Sequence, residues 1–255
     1  MITRPSGYRA RLSNFLDVSS IGRWNVIQKR LCLLSSYLCM QGGGLSIFLI
    51  GGSATLISCQ IYQNKASSEG GGIYFESYGS SATLNSCQIY QNEITYGGSG
   101  GGLFMKNGGS TAGGFATLNS CRIYHNEAPL GWGGALCISS FDSSYEESAT
   151  LEYCEISSNG ADYGGGLFIE PGGLATLNSC QIYDNEAGGY GGSGGGLSIS
   201  GEATLNHCNI HNNKAFENVC SISLNQRKVP APQCNVRQVL AFIIPLHAGR
   251  RAKHL

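Results

Sequence analysis

Apolar and polar positions follow one short pattern that returns six times: SATLISCQIYQN (53–64), SATLNSCQIYQN (81–92), FATLNSCRIYHN (115–126), SATLEYCEISSN (148–159), LATLNSCQIYDN (174–185) and EATLNHCNIHNN (202–213). The pattern lacks the 3.6-residue period of a helix. Read as two short strands joined by a bend, it puts Ala82, Leu84, Cys87 and Ile89 on one face and Thr83, Gln88 and Tyr90 on the other. A second strand alternates with the first, at GGGLSI (42), GGGIYF (70), GGGLFM (100), GGALCI (133), GGGLFI (164) and GGGLSI (194). There Leu103 and Met105 point inward and Phe104 outward. Self-similarity at this period marks a repeat architecture. Strands with one apolar face cannot bury themselves singly, but stacking one turn on the next makes a continuous core. The predicted fold is all-β: a single-stranded parallel β-helix of about six coils, three strands to a turn, with terminal caps.

Stacking turns each recurring position into a ladder with rungs about 4.8 Å apart. Leu56, Leu84, Leu118, Leu151, Leu177 and Leu205 form one core ladder, and Ile61, Ile89, Ile123, Ile156, Ile182 and Ile210 another. Asn64, Asn92, Asn126, Asn159, Asn185 and Asn213 close each copy, where amides can bond along the stack, satisfy turn backbone and tolerate left-handed geometry. Six of the 11 cysteines, Cys59, Cys87, Cys121, Cys154, Cys180 and Cys208, form an inward ladder. In-register Cβ atoms about 4.8 Å apart exceed the roughly 3.5 to 4.5 Å a disulfide prefers, so these read as buried free thiols.

Outward ladders are where function can reside. One comprises Tyr62, Tyr90, Tyr124, Ser157, Tyr183 and His211; another comprises Ser46, Tyr74, Phe104, Cys137, Phe168 and Ser198. Their aromatics, Tyr62, Tyr90, Tyr124 and Tyr183 with Tyr74, Phe104 and Phe168, are the candidate binding residues, unless loops fold over them. A rank of Thr55, Thr83, Thr117, Thr150, Thr176 and Thr204 gives ice binding as a minor alternative. Arg122 beside Glu155 on successive coils makes a cross-strand pair. Glu93, Glu127 and Glu186, each following the closing Asn, read as a solvated edge.

Composition narrows the classes. In 255 residues, 38 glycines, 6 prolines and 13% charged residues indicate a turn-rich β protein. A formal net charge of zero gives no general attraction to nucleic acid, and no apolar run reaches the roughly 20 residues of a membrane span. His207 and His211 flank Cys208, yet that thiol faces inward while both imidazoles replace outward residues, so no metal site or cofactor is expected. The expected organisation is a cap or targeting segment at 1–41, helical around 9–30, the repeat domain at 42–220, and a cap or basic tail at 221–255.

IYQNKASSEGGGIYF (61–75) and IYHNEAPLGWGGAL (123–136) resemble the repeats of chlamydial polymorphic outer membrane proteins and, more broadly, right-handed parallel β-helices of the pectin-lyase-like superfamily. Those repeats carry Phe where this chain has Ile61 or Ile89, a swap a core accommodates. The resemblance implies a cell-surface or extracellular adhesion module binding a polysaccharide or a cell-surface protein. It carries over no catalytic residue, because the Asn-Thr-Asp and Gly-His-Gly triplets of the superfamily's polygalacturonases are missing. The alternative is a polysaccharide lyase or hydrolase whose acids, Asp142, Glu146 and Glu147 near Glu170, come from the loop at 139–148.

Overall fold

The computed structural model describes residues 16–21, 38–50, 53–107, 114–140, 147–189, 192–216 and 222–224. The strands form four sheets, each wholly parallel, and the chain visits them in a fixed order once per coil. Sheet A holds the glycine-led strands, from Leu45–Ile50 through Leu103–Asn107 to Leu197–Ile199. Sheet B holds the Ala-Thr-Leu strands such as Phe115–Asn119, and sheet C the strands such as Arg122–Tyr124 that follow each ladder cysteine. Sheet D, including Lys65–Glu69, Glu93–Ile94 and Glu127–Trp132, begins immediately after each closing asparagine.

A coil therefore has four strands, which corrects the expected three. Sheet D went unread because its strands are as short as Glu93–Ile94 and offer the interior little more than an alanine or isoleucine. Ala66, Ile94, Ala128 and Ala161 form their own small apolar cluster. Sheets A, B and C share the main core, to which the third coil gives Leu103, Met105, Ala116, Leu118, Cys121 and Ile123. All six are at most 2% exposed, and burying a side chain such as Leu118 is worth about 1.5–3 kcal/mol.

The expected helix at 9–30 is also corrected where the residues are described: Leu16–Ile21 is a strand paired in parallel with Leu45–Ile50. The rest of that span lies outside the described residues, as do 108–113 and 141–146 in the two long loops. At the other end Ile222–Leu224 continues sheet A beside Leu197–Ile199.

The corners explain the invariant spacing. Between sheets B and C one residue, Ser86 or Ser120 for example, takes a left-handed φ of 52°, and between C and D another does so, as His125 at 54°. Each such residue costs roughly 1–2 kcal/mol in isolation. Stacking offsets this, since the Ser86 N–H donates to the Asn119 carbonyl at 2.9 Å and the Ser120 N–H to the Glu152 carbonyl at 2.8 Å. The left-handed position expected at the asparagine thus belongs to its predecessor. In the glycine triad, Gly100 has φ 71°, and a Cβ on Gly101 would lie 2.6 Å from the Gly134 carbonyl oxygen. A Cβ on the third glycine, Gly102, would likewise lie 2.6 Å from the Ala135 carbonyl oxygen, and only the fourth coil carries an alanine, Ala135, at that position.

Candidate functional site

The asparagine ladder is a closed hydrogen-bond system. The Asn126 side-chain Nδ2 donates to Asn159 Oδ1 at 3.0 Å and to the Ile89 carbonyl at 2.9 Å, while Asn126 Oδ1 accepts from the Asn92 backbone N–H at 3.1 Å and from its Nδ2 at 2.9 Å. The same links run from Asn64 through Asn92, Asn126, Asn159 and Asn185 to Asn213. These residues are at most 5% exposed, so their amides are spent on the coil rather than offered to a ligand. The ladder cysteines Cys59, Cys87, Cys121, Cys154, Cys180 and Cys208 are buried free thiols. From Cys87 onward each thiol points at the carbonyl of the leucine one coil back, as Cys154 Sγ does to Leu118 at 3.2 Å.

On sheet A the outward aromatics lie outside the coil but are not an open platform. Tyr74, Phe104 and Cys137 form a cluster separate from the core, with Phe168 packed at its side. Tyr74 is 2% and Phe104 3% exposed, whereas Phe168 is half-buried and stacks on Trp132 at 5.5 Å. Tyr74 and Phe104 are therefore buried rather than exposed, in a small apolar cluster outside the coil. Alternation fixes which way a ring points but not whether it is buried; here Tyr74 and Phe104 stack on each other at 5.8 Å. Burial pushes the Tyr74 hydroxyl above the ordinary phenol range, helped by its hydrogen bond to Glu76 at 2.8 Å. Burial likewise raises the Cys137 thiol.

Sheet C presents the accessible aromatic rank. Tyr62, Tyr90 and Tyr124 are half-buried and stack face to face at 4.9 Å, each pair within 2° of parallel. Ser157 takes the next rung, after which Tyr183 stacks on His211 at 5.2 Å and 4°. Beside the rank, Arg122 Nε sits 2.8 Å from Glu155 Oε2, and the guanidinium carbon lies 5.9 Å from the Tyr124 ring centre. The Tyr183 hydroxyl donates to Glu155 Oε1. That hydrogen bond, with Arg122 second, holds the Glu155 carboxyl below its ordinary range and raises the Tyr183 phenol. Sheet C thus carries a planar rank of phenols with one fixed ion pair along its edge.

The family model for a right-handed β-helix region matches residues 35–229, most of the chain. The chain belongs to that family. No curated protein and no solved structure matches it.

Membership of the β-helix family leaves open whether the acids do chemistry. Asp142 and Glu146 lie outside the described residues. Glu147 is not a loop acid at the surface: it starts a sheet B strand, falls in line with inward Ala149 and Leu151, and is 0% exposed. Its Oε2 accepts the Gly114 N–H at 2.9 Å, its Oε1 has no hydrogen-bond partner among the described residues, and burial pushes its carboxyl up to about 7. Glu170 is half-buried, takes a 2.5 Å hydrogen bond from the Ser139 hydroxyl, and is raised by burial. Among the described residues no group of His, Cys, Asp and Glu converges on a metal position, and no helix is long and apolar enough to cross a membrane. Residues that pattern reading missed are exposed Tyr96 and Leu130, each 70% exposed, and Trp132 at 44%. They sit on or beside sheet D, whose strands the sequence does not announce; the dipeptide Gly131-Trp132 before a glycine triad was the available signal.

Proposed function

We propose that this β-helix protein is a non-catalytic binding module of the cell-surface or extracellular adhesion type, and that it engages a polysaccharide or a protein partner on the outward face of sheet C. The observation that carries the reading is the stacked rank Tyr62, Tyr90 and Tyr124, continued by Tyr183, on a backbone locked by coil-to-coil pairing. Such a surface is preorganised, so binding costs little ordering of side chains. The likeness of the repeats to those of chlamydial polymorphic outer membrane proteins supports a cell-surface setting.

The test is incubation of the full chain with plant, algal and bacterial polysaccharides and with immobilised cell-surface protein extracts, reading both retained protein and released sugar ends. Retention without release, weakened at least tenfold in Y90A/Y124A, is expected. Sugar release would overturn the reading in favour of a polysaccharide lyase or hydrolase and direct attention to Glu170.

A further inference from the structure

Sheet D loses its regularity in two adjacent coils. Beyond the pair Ala128 and Ala161 the register shifts, so that Pro129, Leu130 and Gly131 stand against the single residue Asp162 before Trp132 pairs with Tyr163. A bulge of this kind re-aims side chains. Here Leu130 is 70% exposed and Trp132, two residues on, is 44% exposed. One coil back the chain passes through Tyr96, also 70% exposed, and Gly97, where an added Cβ would lie 3.7 Å from the Leu130 Cβ. One coil on, Phe168 of sheet A stacks on Trp132 at 5.5 Å, within 19° of parallel. Tyr96, Leu130, Trp132 and Phe168 thus make one apolar ridge across three coils. The shelf beneath is stiff: the Ser99 N–H donates to the Ser68 carbonyl at 3.1 Å and the Trp132 N–H to the Gly98 carbonyl at 3.3 Å. Large apolar side chains grouped and left open in this way mark a contact surface.

Charge decides what such a surface takes. Between residues 42 and 220 stand 15 of the 16 acidic residues but only 4 of the 16 lysines and arginines, so the zero net charge of the chain hides a strongly acidic repeat domain. Two of those four cations are already engaged, Lys65 with Glu93 at 2.6 Å and Arg122 with Glu155 at 2.8 Å. The strands of sheet D from Glu93–Ile94 to Glu186–Ala187 carry no lysine or arginine. Glu127 lies on the strand of Leu130 and Trp132, and Asp162 on the next rung. Neither carboxylate has an ion pair among the described residues, and burial raises the Asp162 carboxyl with no cation to offset it.

We propose that this ridge docks a basic segment of a protein partner, one apolar side chain of which packs on Tyr96 and Leu130 while an arginine or lysine beside it lies over Trp132 and against Glu127 and Asp162. The site is separate from the tyrosine rank of sheet C and does not depend on it. Tryptophan is the best ring for a cation, and Phe168 covers one face of Trp132 while the rest of the ring is open. Opposite charge steers the encounter and the apolar anchors hold the complex. Exposed Trp and Tyr also suit a membrane interface, but the carboxylates beside them repel the anionic lipids that attract proteins to one.

The probes are the peptide acetyl-Arg-Leu-Arg-Leu-Arg-amide, the same peptide with glutamate for arginine, the same with alanine for leucine, and phosphatidylcholine vesicles. Each is titrated into the full chain while the Trp132 indole and Leu130 methyl signals are followed by NMR. The arginine–leucine peptide should bind saturably, shift both signals and weaken as salt is raised. The alanine peptide, and the variants L130S and Y96S at well-exposed positions, should each reduce affinity at least about fivefold. D162N should reduce it at least about threefold, while E202Q, the same change of charge on sheet B, and Y90A/Y124A should bind as wild type does. Preference for the glutamate peptide or for the vesicles overturns the proposal. So does equal loss in D162N and E202Q, which would leave only general charge attraction, or unchanged binding by both L130S and Y96S. Loss in Y90A/Y124A alone overturns the ridge and moves the peptide to the tyrosine face. Self-association that L130S abolishes, without peptide binding, replaces the basic partner by a second copy of the chain and so also overturns the proposal.

Discussion

Asn126 and Glu147 show two ways a buried polar side chain is held in this interior. Asn126 makes contacts with both neighbouring coils, so its replacement by alanine strands partners on each side. N126A should lose at least about 3 kcal/mol in urea unfolding, and N64A, at the described end of the ladder, clearly less. Equal losses would mean the ladder is not cooperative. Glu147 is the opposite case, a carboxyl with one oxygen satisfied and the other without a partner among the described residues. Its folded value of about 7 lies above the ordinary 4.5, so between the two the folded state keeps a proton the unfolded chain has released. Stability present below about 4.5 should thus fall as pH rises toward 7 and level off above, by as much as about 3 kcal/mol. E147Q should remove that slope; parallel pH profiles for the two proteins would refute the assignment. The asparagine ladder was legible in six copies of one motif, whereas the burial of Glu147 was not, because it depends on where sheet B begins.

At the scale of elements, the glycine triads and the left-handed corners set the shape of each coil. A methyl on Gly101 would meet the Gly134 oxygen at 2.6 Å and the Glu127 carbonyl carbon and oxygen at 2.7 Å each, all backbone atoms that cannot swing away. G101A should therefore cost at least about 3 kcal/mol or prevent folding, and G102A, whose methyl would meet the Ala135 carbonyl oxygen at 2.6 Å, should also cost at least about 1.5 kcal/mol, both read by thermal melting. A G102A protein as stable as wild type would show that the third coil can take up the spacing that admits Ala135 in the fourth. The two-residue alternation identified the strands of sheets A, B and C correctly. It could not show sheet D, where Glu93–Ile94 is too short to have a period, nor that Tyr74 and Phe104 are buried in a cluster of their own outside the coil.

For the molecule as a whole, each coil is stabilised by its neighbours, so a defect in the middle is felt on both sides. Leu118, fully buried in the third coil, should cost about 2–5 kcal/mol when cut to alanine, with the measured loss larger than for Leu56 in the first. The Arg122 to Glu155 pair is more than half exposed on the arginine side, and R122A should cost no more than about 1 kcal/mol; a larger loss would give the pair a structural role it lacks here. Sequence by itself determined the solenoid, its parallel stacking and its inward and outward ladders, because a repeated pattern forces like residues into register and the inner face must be dry. Only the tertiary structure decided the fourth sheet, the burial of Tyr74 and Phe104, and the inward turn of Glu147. Each of these depends on what a neighbouring coil places beside the residue, and alternation along one strand carries no information about that.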